Sequence, residues 1–401
     1  MKITSYSEIT QRTSLRIGAG TRILVSDLIE GLGGKRPVIF TDKGLTKAGL
    51  TQQIIDLFDN VPGIQLAGVF DEIEQDAKSS NINNGIQYYK ACNADSMIAL
   101  GGGSVLDTVK GIKWALHKRV NNIELALKGN VIEVWPAATE IDIPHVAIPT
   151  TAGTGAEVSP IAVIFNETIG VKCNLLHPYI NADIAILDPD LTVGLPSYVT
   201  AFTGMDALSH AVEGYFTSKA NPMTDALALQ AIKLVVQNLK KAVAKGDDVQ
   251  ARSNMLQAST MGIHSFTLTF GENPVHNIAH TLGAKFRIPH GLAISTLLPT
   301  VMKHLAPLYL GKIREFALAL GVGSPSNQPE ECLTQCIEVI SELRNDIGLP
   351  ADFSEYNIDS ALIPQLIPAV QLDPSGIGLR IPEDVLANIL QEVIGTKVPV
   401  E

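Results

Sequence analysis

The chain has 401 residues, 46% of them hydrophobic, 18% charged and 5% aromatic, with a formal net charge of −11. That apolar content supplies large cores and excludes a disordered chain, and the length favours two domains. The negative charge, with no Lys/Arg run longer than two, excludes nucleic acid as a partner.

The start of the chain is polar, and no apolar stretch approaches the ~20 residues of a membrane span. A cytoplasmic protein without a membrane partner is expected. Residues 36–42 read as a buried strand that ends in a polar turn at Asp42. Residues 95–100 form a second strand running into Gly101, Gly102, Gly103 and Ser104, and residues 144–149 a third. Strands separated by helix-like segments predict an α/β domain over residues 1–190, built on a mostly parallel sheet. From about Pro196 the strand signal fades. Residues 225–244 and 249–260 carry helical spacing, so an all-helical domain is expected over 191–401.

The strand–Gly101–Gly102–Gly103–helix unit suits a pyrophosphate. Glycines admit a sharp turn and a close ligand, and the helix start offers free N–H donors and its positive dipole end. Ser104 and Asp107, three apart, predict a capping box at that start. Neither G-x-G-x-x-G nor the P-loop pattern is present. Thr150, Thr151 and Thr154, in a loop dense in hydroxyls and small side chains, suit phosphates and a nicotinamide face. A carboxylate at Asp42 is placed to accept the ribose hydroxyls of an adenosine and to repel a 2′-phosphate, although an isolated Asp there is also an ordinary turn residue.

Asp206 and His210 lie four apart on a helix and share a face, and His276 and His280 repeat that relation. His290, between Pro289 and Gly291, is expected on a loop. Imidazoles with one carboxylate suit Fe, Zn, Co or Ni better than Mg or Ca. Spacing alone leaves open which four of the five bind. His117, His145, His177 and His304 read as ordinary core or surface residues. Cys332 and Cys336, four apart in an amphipathic helix, read as buried thiols.

Taken together and in order, these motifs resemble the iron-containing (group III) alcohol dehydrogenases over nearly the whole chain. The resemblance implies a dehydroquinate synthase-like fold, with an α/β NAD-binding domain followed by a helical, metal-binding one. It also implies Asp206, His210, His276 and His290 as ligands of Fe2+, a set that Zn2+ accepts too, and His280 as a non-ligand that relays a proton. Asp42 matches the residue linked to NAD preference. Gly101, Gly102, Gly103, Ser104, Asp107, Thr150, Thr151, Thr154, Ser159 and Lys172 match positions that hold the cofactor. The implied activity is hydride transfer between NAD(H) and a small primary alcohol, diol or aldehyde, by a homodimer or larger homo-oligomer. The alternatives are a glycerol dehydrogenase or other polyol dehydrogenase of the same superfamily, and a metal-binding protein without catalysis. The segment Gly271–Glu272–Asn273–Pro274 departs from the family's small apolar one, which leaves Glu272 either near a reshaped pocket or facing solvent.

Overall fold

Short aliphatic runs buried on both faces build the first half of the chain, as strands covered by helices on two sides must be. The computed structural model describes residues 7–324, 326–373, 376 and 378–395. It divides into two compact units, Thr10–Leu195 and a second that takes in the residues before Thr10 together with those from Pro196 onward. In the first unit the strands are β1 (Ser14–Ile17), β2 (Pro37–Phe40), β3 (Gly68–Phe70), β4 (Ser96–Gly101), β5 (Val131–Ile132), β6 (His145–Pro149), β7 (Ile161–Asn166), β8 (Val171–Leu176) and β9 (Ile184–Leu187). Its helices are α1 (Val25–Gly31), α2 (Lys43–Lys47), α3 (Leu50–Ile55), α4 (Ser79–Ala91), α5 (Gly103–His117) and α6 (Ile123–Ala126).

Six strands make a parallel sheet in the order β1-β9-β6-β4-β2-β3. Alternate side chains feed two separate cores. Val38, Phe40, Met97, Ala99 and Ala147 pack with Ile82, Ile86, Val109 and Ile112 of α4 and α5. Ile39, Ile98, Leu100, Val146, Ile148 and Ile186 pack on the other face with Val25, Ile29 and Ile54 of α1 and α3. The chain leaves β2 for β3 on one side and returns to β4 on the other, so the order reverses between β2 and β4, where parallel sheets take ligands at their carboxyl ends. A smaller sheet, β5-β8-β7, carries the antiparallel β7–β8 pair.

From Pro196 onward the described residues contain helices and no strand. They are α7 (Ser197–Phe216), α8 (Pro222–Ala244), α9 (Val249–Thr269), α10 (Pro274–Phe286), α11 (His290–His304), α12 (Ile313–Leu320), α13 (Pro329–Asp346), α14 (Ile363–Leu372) and α15 (Glu383–Ile394). No helix among the described residues is long and apolar enough to cross a membrane. Cys332 and Cys336 are buried on α13. Helix α7 is enclosed by α8, α9 and α11 and is buried without interruption from Gly204 to Tyr215. Two glycines set that closeness. A Cβ on Gly262 of α9 would stand 2.9 Å from the Ala207 carbonyl, and one on Gly291 of α11 would stand 2.5 Å from that of Phe202. The second contact corrects the loop expected around His290. Pro289 is the N-cap and His290 the first residue of α11, because Gly291 serves helix packing and does not break the helix.

Glu272, just before α10, is half-buried and lines a small pocket with Glu213, Phe216, Pro274, Leu308 and Tyr309. Its carboxylate accepts from Ser218 Oγ at 2.6 Å, from Ser218 N at 2.9 Å and from Thr217 Oγ1, tying the entry of α10 to the end of α7. Burial pushes the Glu272 carboxyl up, but the bonds from Ser218 and Thr217 outweigh this and hold it at about 2, below its ordinary 4.5. A depressed folded-state value contributes stability above pH 4.5 that is lost as pH falls toward 2. Glu272→Gln should therefore lower Tm most near neutrality, with the gap to the unsubstituted protein closing through that acid window. A gap that stays constant from pH 7 to pH 2, followed by circular dichroism, would show that the carboxylate charge contributes nothing.

Candidate metal centre and nucleotide edge

On α7 the positions 206, 210 and 213 fall at i, i+4 and i+7, so Asp206, His210 and Glu213 lie along one buried face. Asp206 Oδ1 lies 3.6 Å from His276 Nε2, 3.6 Å from His290 Nε2 and 4.0 Å from His210 Nδ1. One ligand atom from each of Asp206, His276 and His290 falls within 4.8 Å of the others. Atoms held tetrahedrally at ~2.1 Å from one ion stand about 3.4 Å apart, so the spacing fits a small transition metal. His210 stands beside this trio, its ring stacked on that of His276 with centroids 4.5 Å apart. His280, one turn along α10 from His276, has its ring 5.1 Å from that of His290.

The donor set passes a second test. Asp206 Oδ1 and His276 Nε2 are buried and take part in no hydrogen bond. A buried carboxylate in that position is costly unless positive charge faces it. Burial pushes the Asp206 carboxyl up, yet His210, His276 and His290 outweigh it and hold the group well below the usual carboxylate range. For His276 burial works against the charged ring, and Glu213 with Asp206 outweighs it and raises the ring to about 9. A buried carboxylate with imidazole nitrogens turned toward it is a donor set that a divalent transition metal takes, the ion supplying the positive charge and the rings binding it in their neutral form.

Behind His276 stands Glu213, which the sequence reading missed. Its Oε1 accepts from Val275 N at 2.7 Å, and its Oε2 accepts from His276 Nδ1. The i+7 relation to Asp206 was the signal available for it. His264 was missed as well. It is buried on α9, and burial lowers its ring to about 4, so it is neutral at pH 7 and serves the core.

In the first unit, Asp42, the glycine turn and the threonine loop follow the carboxyl ends of β2, β4 and β6, three neighbouring strands. None of Gly101, Gly102 or Gly103 has a positive φ, so the glycines are there for contact and not for a forced turn. A Cβ on Gly103 would stand 2.6 Å from Thr154 Cγ2, and one on Gly102 would stand 3.3 Å from the Thr151 side chain. Thr150 N donates to Gly101 O at 3.0 Å, closing the two loops on each other.

The expected capping box does not form. The N-cap of α5 is Gly102, with no side-chain cap, because tertiary partners take both residues. Ser104 Oγ accepts from Asp76 N at 3.1 Å, while Asp107 accepts from Val163 N at 3.0 Å and pairs with Lys110 at 2.9 Å. Asp76, a third residue missed in the sequence, also pairs with Lys172 at 2.8 Å. Ser159 is buried, and its hydroxyl exchanges hydrogen bonds with Ile161 of its own turn. Asp42 is the N-cap of α2, accepting from Leu45 N at 3.0 Å.

Known proteins match both halves. Residues 12–189 match the family model for iron-containing alcohol dehydrogenase, and residues 200–374 match the model for the C-terminal part of the Fe-containing alcohol dehydrogenase family. The chain is 34% identical to a 1,3-propanediol dehydrogenase of Klebsiella pneumoniae, over 86% of its own length and 87% of that protein's. It is 31% identical to an NAD-dependent methanol dehydrogenase of Bacillus methanolicus, over 85% and 87% of the two chains. A crystal structure of a 1,3-propanediol oxidoreductase superposes with a TM-score of 0.89 at 31% identity, covering 96% of this chain and 99% of that one. The sheet, the helical unit and the convergent Asp206, His276 and His290 are thus those of a chain that belongs to the iron-containing alcohol dehydrogenase family.

Proposed function

We propose that the chain transfers hydride between NAD(H) and a small primary alcohol, diol or aldehyde, with an ion held by Asp206, His210, His276 and His290. The observation that carries this reading is the approach of buried Asp206 and His276 and half-buried His290, with ligand atoms within 4.8 Å of one another. The match to alcohol and diol dehydrogenases supports the substrate class. When bound, the ion supplies a Lewis acid toward the substrate oxygen and NAD supplies the hydride acceptor. Fe2+ is the proposed ion, and the same donors accept Zn2+.

The chain's own residues do the rest. His210 closes the ligand set from one side by its place against the His276 ring. His280, beside His290, takes up the proton that leaves the alcohol. Gly101, Gly102, Gly103 and Ser104 leave room for a pyrophosphate at the start of α5, with Asp107 holding that helix to β7. Thr150, Thr151 and Thr154 offer hydroxyls on the neighbouring loop, and Ser159 and Lys172 fix the segments behind it. Asp42, on the strand next to the switch point, favours a ribose with both hydroxyls free. A cytoplasmic homo-oligomer, dimer or larger, belongs to the same reading.

Elemental analysis of anaerobically purified protein should find about one Fe or Zn per chain, and NADH-linked turnover of small aldehydes should vanish on chelation and return with metal. A metal-free protein with no rescue by Fe2+ or Zn2+ would overturn the reading. His280→Ala should lower kcat on the order of 100-fold and move the pH profile; an unchanged profile would remove His280 from proton transfer. Asp42→Gly gives up carboxylate bonds worth ~1.5–3 kcal/mol, so the NADPH/NADH ratio of kcat/KM should rise about tenfold or more. An unchanged ratio would show that Asp42 does not set cofactor preference.

A further inference from the structure

We propose that Glu213 is the positioning residue of the metal centre, fixing the His276 ring so that Nε2 is aimed at Asp206. This rests on the metal-centre reading above and adds to it a residue that is not itself a ligand. Three observations carry it. The Glu213 carboxylate is buried on the same face of α7 as Asp206 and His210. It accepts from His276 Nδ1 through one oxygen and from Val275 N, at 2.7 Å, through the other. With Nδ1 committed to Glu213, the ring turns Nε2 toward Asp206 Oδ1, 3.6 Å away.

The two bonds do different things. A carboxylate against Nδ1–H fixes both the tautomer and the rotation of an imidazole, leaving its other nitrogen to bind a metal. The bond from Val275 N satisfies a donor in the first turn of α10, where the N-cap Asn273 gives no side-chain cap. Glu213 therefore sets where α10 begins relative to α7 as well as how its first histidine points. Glu272 crosses the same seam in the opposite direction, from the entry of α10 to Thr217 and Ser218 after α7. It touches no imidazole, so the seam has one brace that reaches the ring and one that does not. That difference separates positioning from simple support.

The test is a Co(II) titration of metal-stripped protein against a competing chelator, read with the visible ligand-field spectrum, on variants shown by circular dichroism to be folded. Glu213→Ala should weaken Co(II) binding about 10- to 100-fold and change the spectrum, as loss of such an outer carboxylate does elsewhere. Glu213→Gln keeps one acceptor oxygen for two donors and should fall between Ala and the unsubstituted protein. If Glu213→Ala does not fold, Glu213→Gln alone decides: affinity within about threefold of the unsubstituted protein and an identical spectrum would overturn the proposal. Glu272→Gln should leave affinity and spectrum unchanged. An effect there equal to that of Glu213→Ala would reduce Glu213 to a structural brace and overturn its positioning role. Unsubstituted protein that takes up no Co(II), yet still binds NADH by fluorescence, would overturn the metal-centre reading and this inference with it.

Discussion

The helical unit is organised around the burial of two carboxylates, Asp206 and Glu213, on one face of a helix enclosed by its neighbours. An ionised carboxylate taken out of water and left alone costs many kcal/mol, so each must be met by donors or by positive charge. For Glu213 the chain itself provides both partners, Val275 N and His276 Nδ1. For Asp206 it provides three facing imidazoles at 3.6–4.0 Å and no hydrogen bond at Oδ1. The two acids are thus resolved differently, one by the fold and one by a ring of ligand-type nitrogens. Helices α10 and α11 bring His276 Nε2 and His290 Nε2 each to 3.6 Å from Asp206 Oδ1.

A related constraint governs the sheet unit, where Lys110 is buried on α5. Its ammonium is shared between Asp107 and the carbonyls of Ser159 and Ile161, so the helix after the glycine turn is fastened to the start of β7. Ser104 is fastened to the 76 loop in the same way. The glycine turn is therefore held from both sides by side chains. Its three glycines lack positive φ and are small because Val105 presses against Gly101, Thr151 against Gly102 and Thr154 against Gly103. A rigid turn with open N–H groups is better suited to a pyrophosphate than a flexible one, since no ordering cost falls on binding.

Much of this was legible in the sequence, for reasons that differ by element. The strands β2, β4 and β6 could be read because strands buried on both faces are continuous apolar runs. The pairs Asp206/His210 and His276/His280 could be read because helical spacing places i and i+4 together. Ser104 and Asp107 misled because a local rule, the capping box, lost to tertiary partners at residues 76 and 163. His290 misled because Pro and Gly beside it suggested a loop, while the glycine answers to the Phe202 carbonyl across a helix pair. The partners of Glu272 lie 54 and 55 residues away, a distance no local pattern encodes.

The same contrast explains why the metal centre is more sharply determined than the substrate. Asp206, His276 and His290 stand on α7, α10 and α11, and the approach of α11 to α7 is set at Gly291 by a contact with the Phe202 carbonyl that no side chain can cushion. Sites on packed helices hold their geometry within narrow limits, so the donor set itself selects the chemistry. Thr267 shows the opposite case, its hydroxyl turned to the Ile263 carbonyl within its own helix. Constraint therefore falls on the packed helices that carry Asp206, His276 and His290, and less on polar side chains satisfied within a single helix turn.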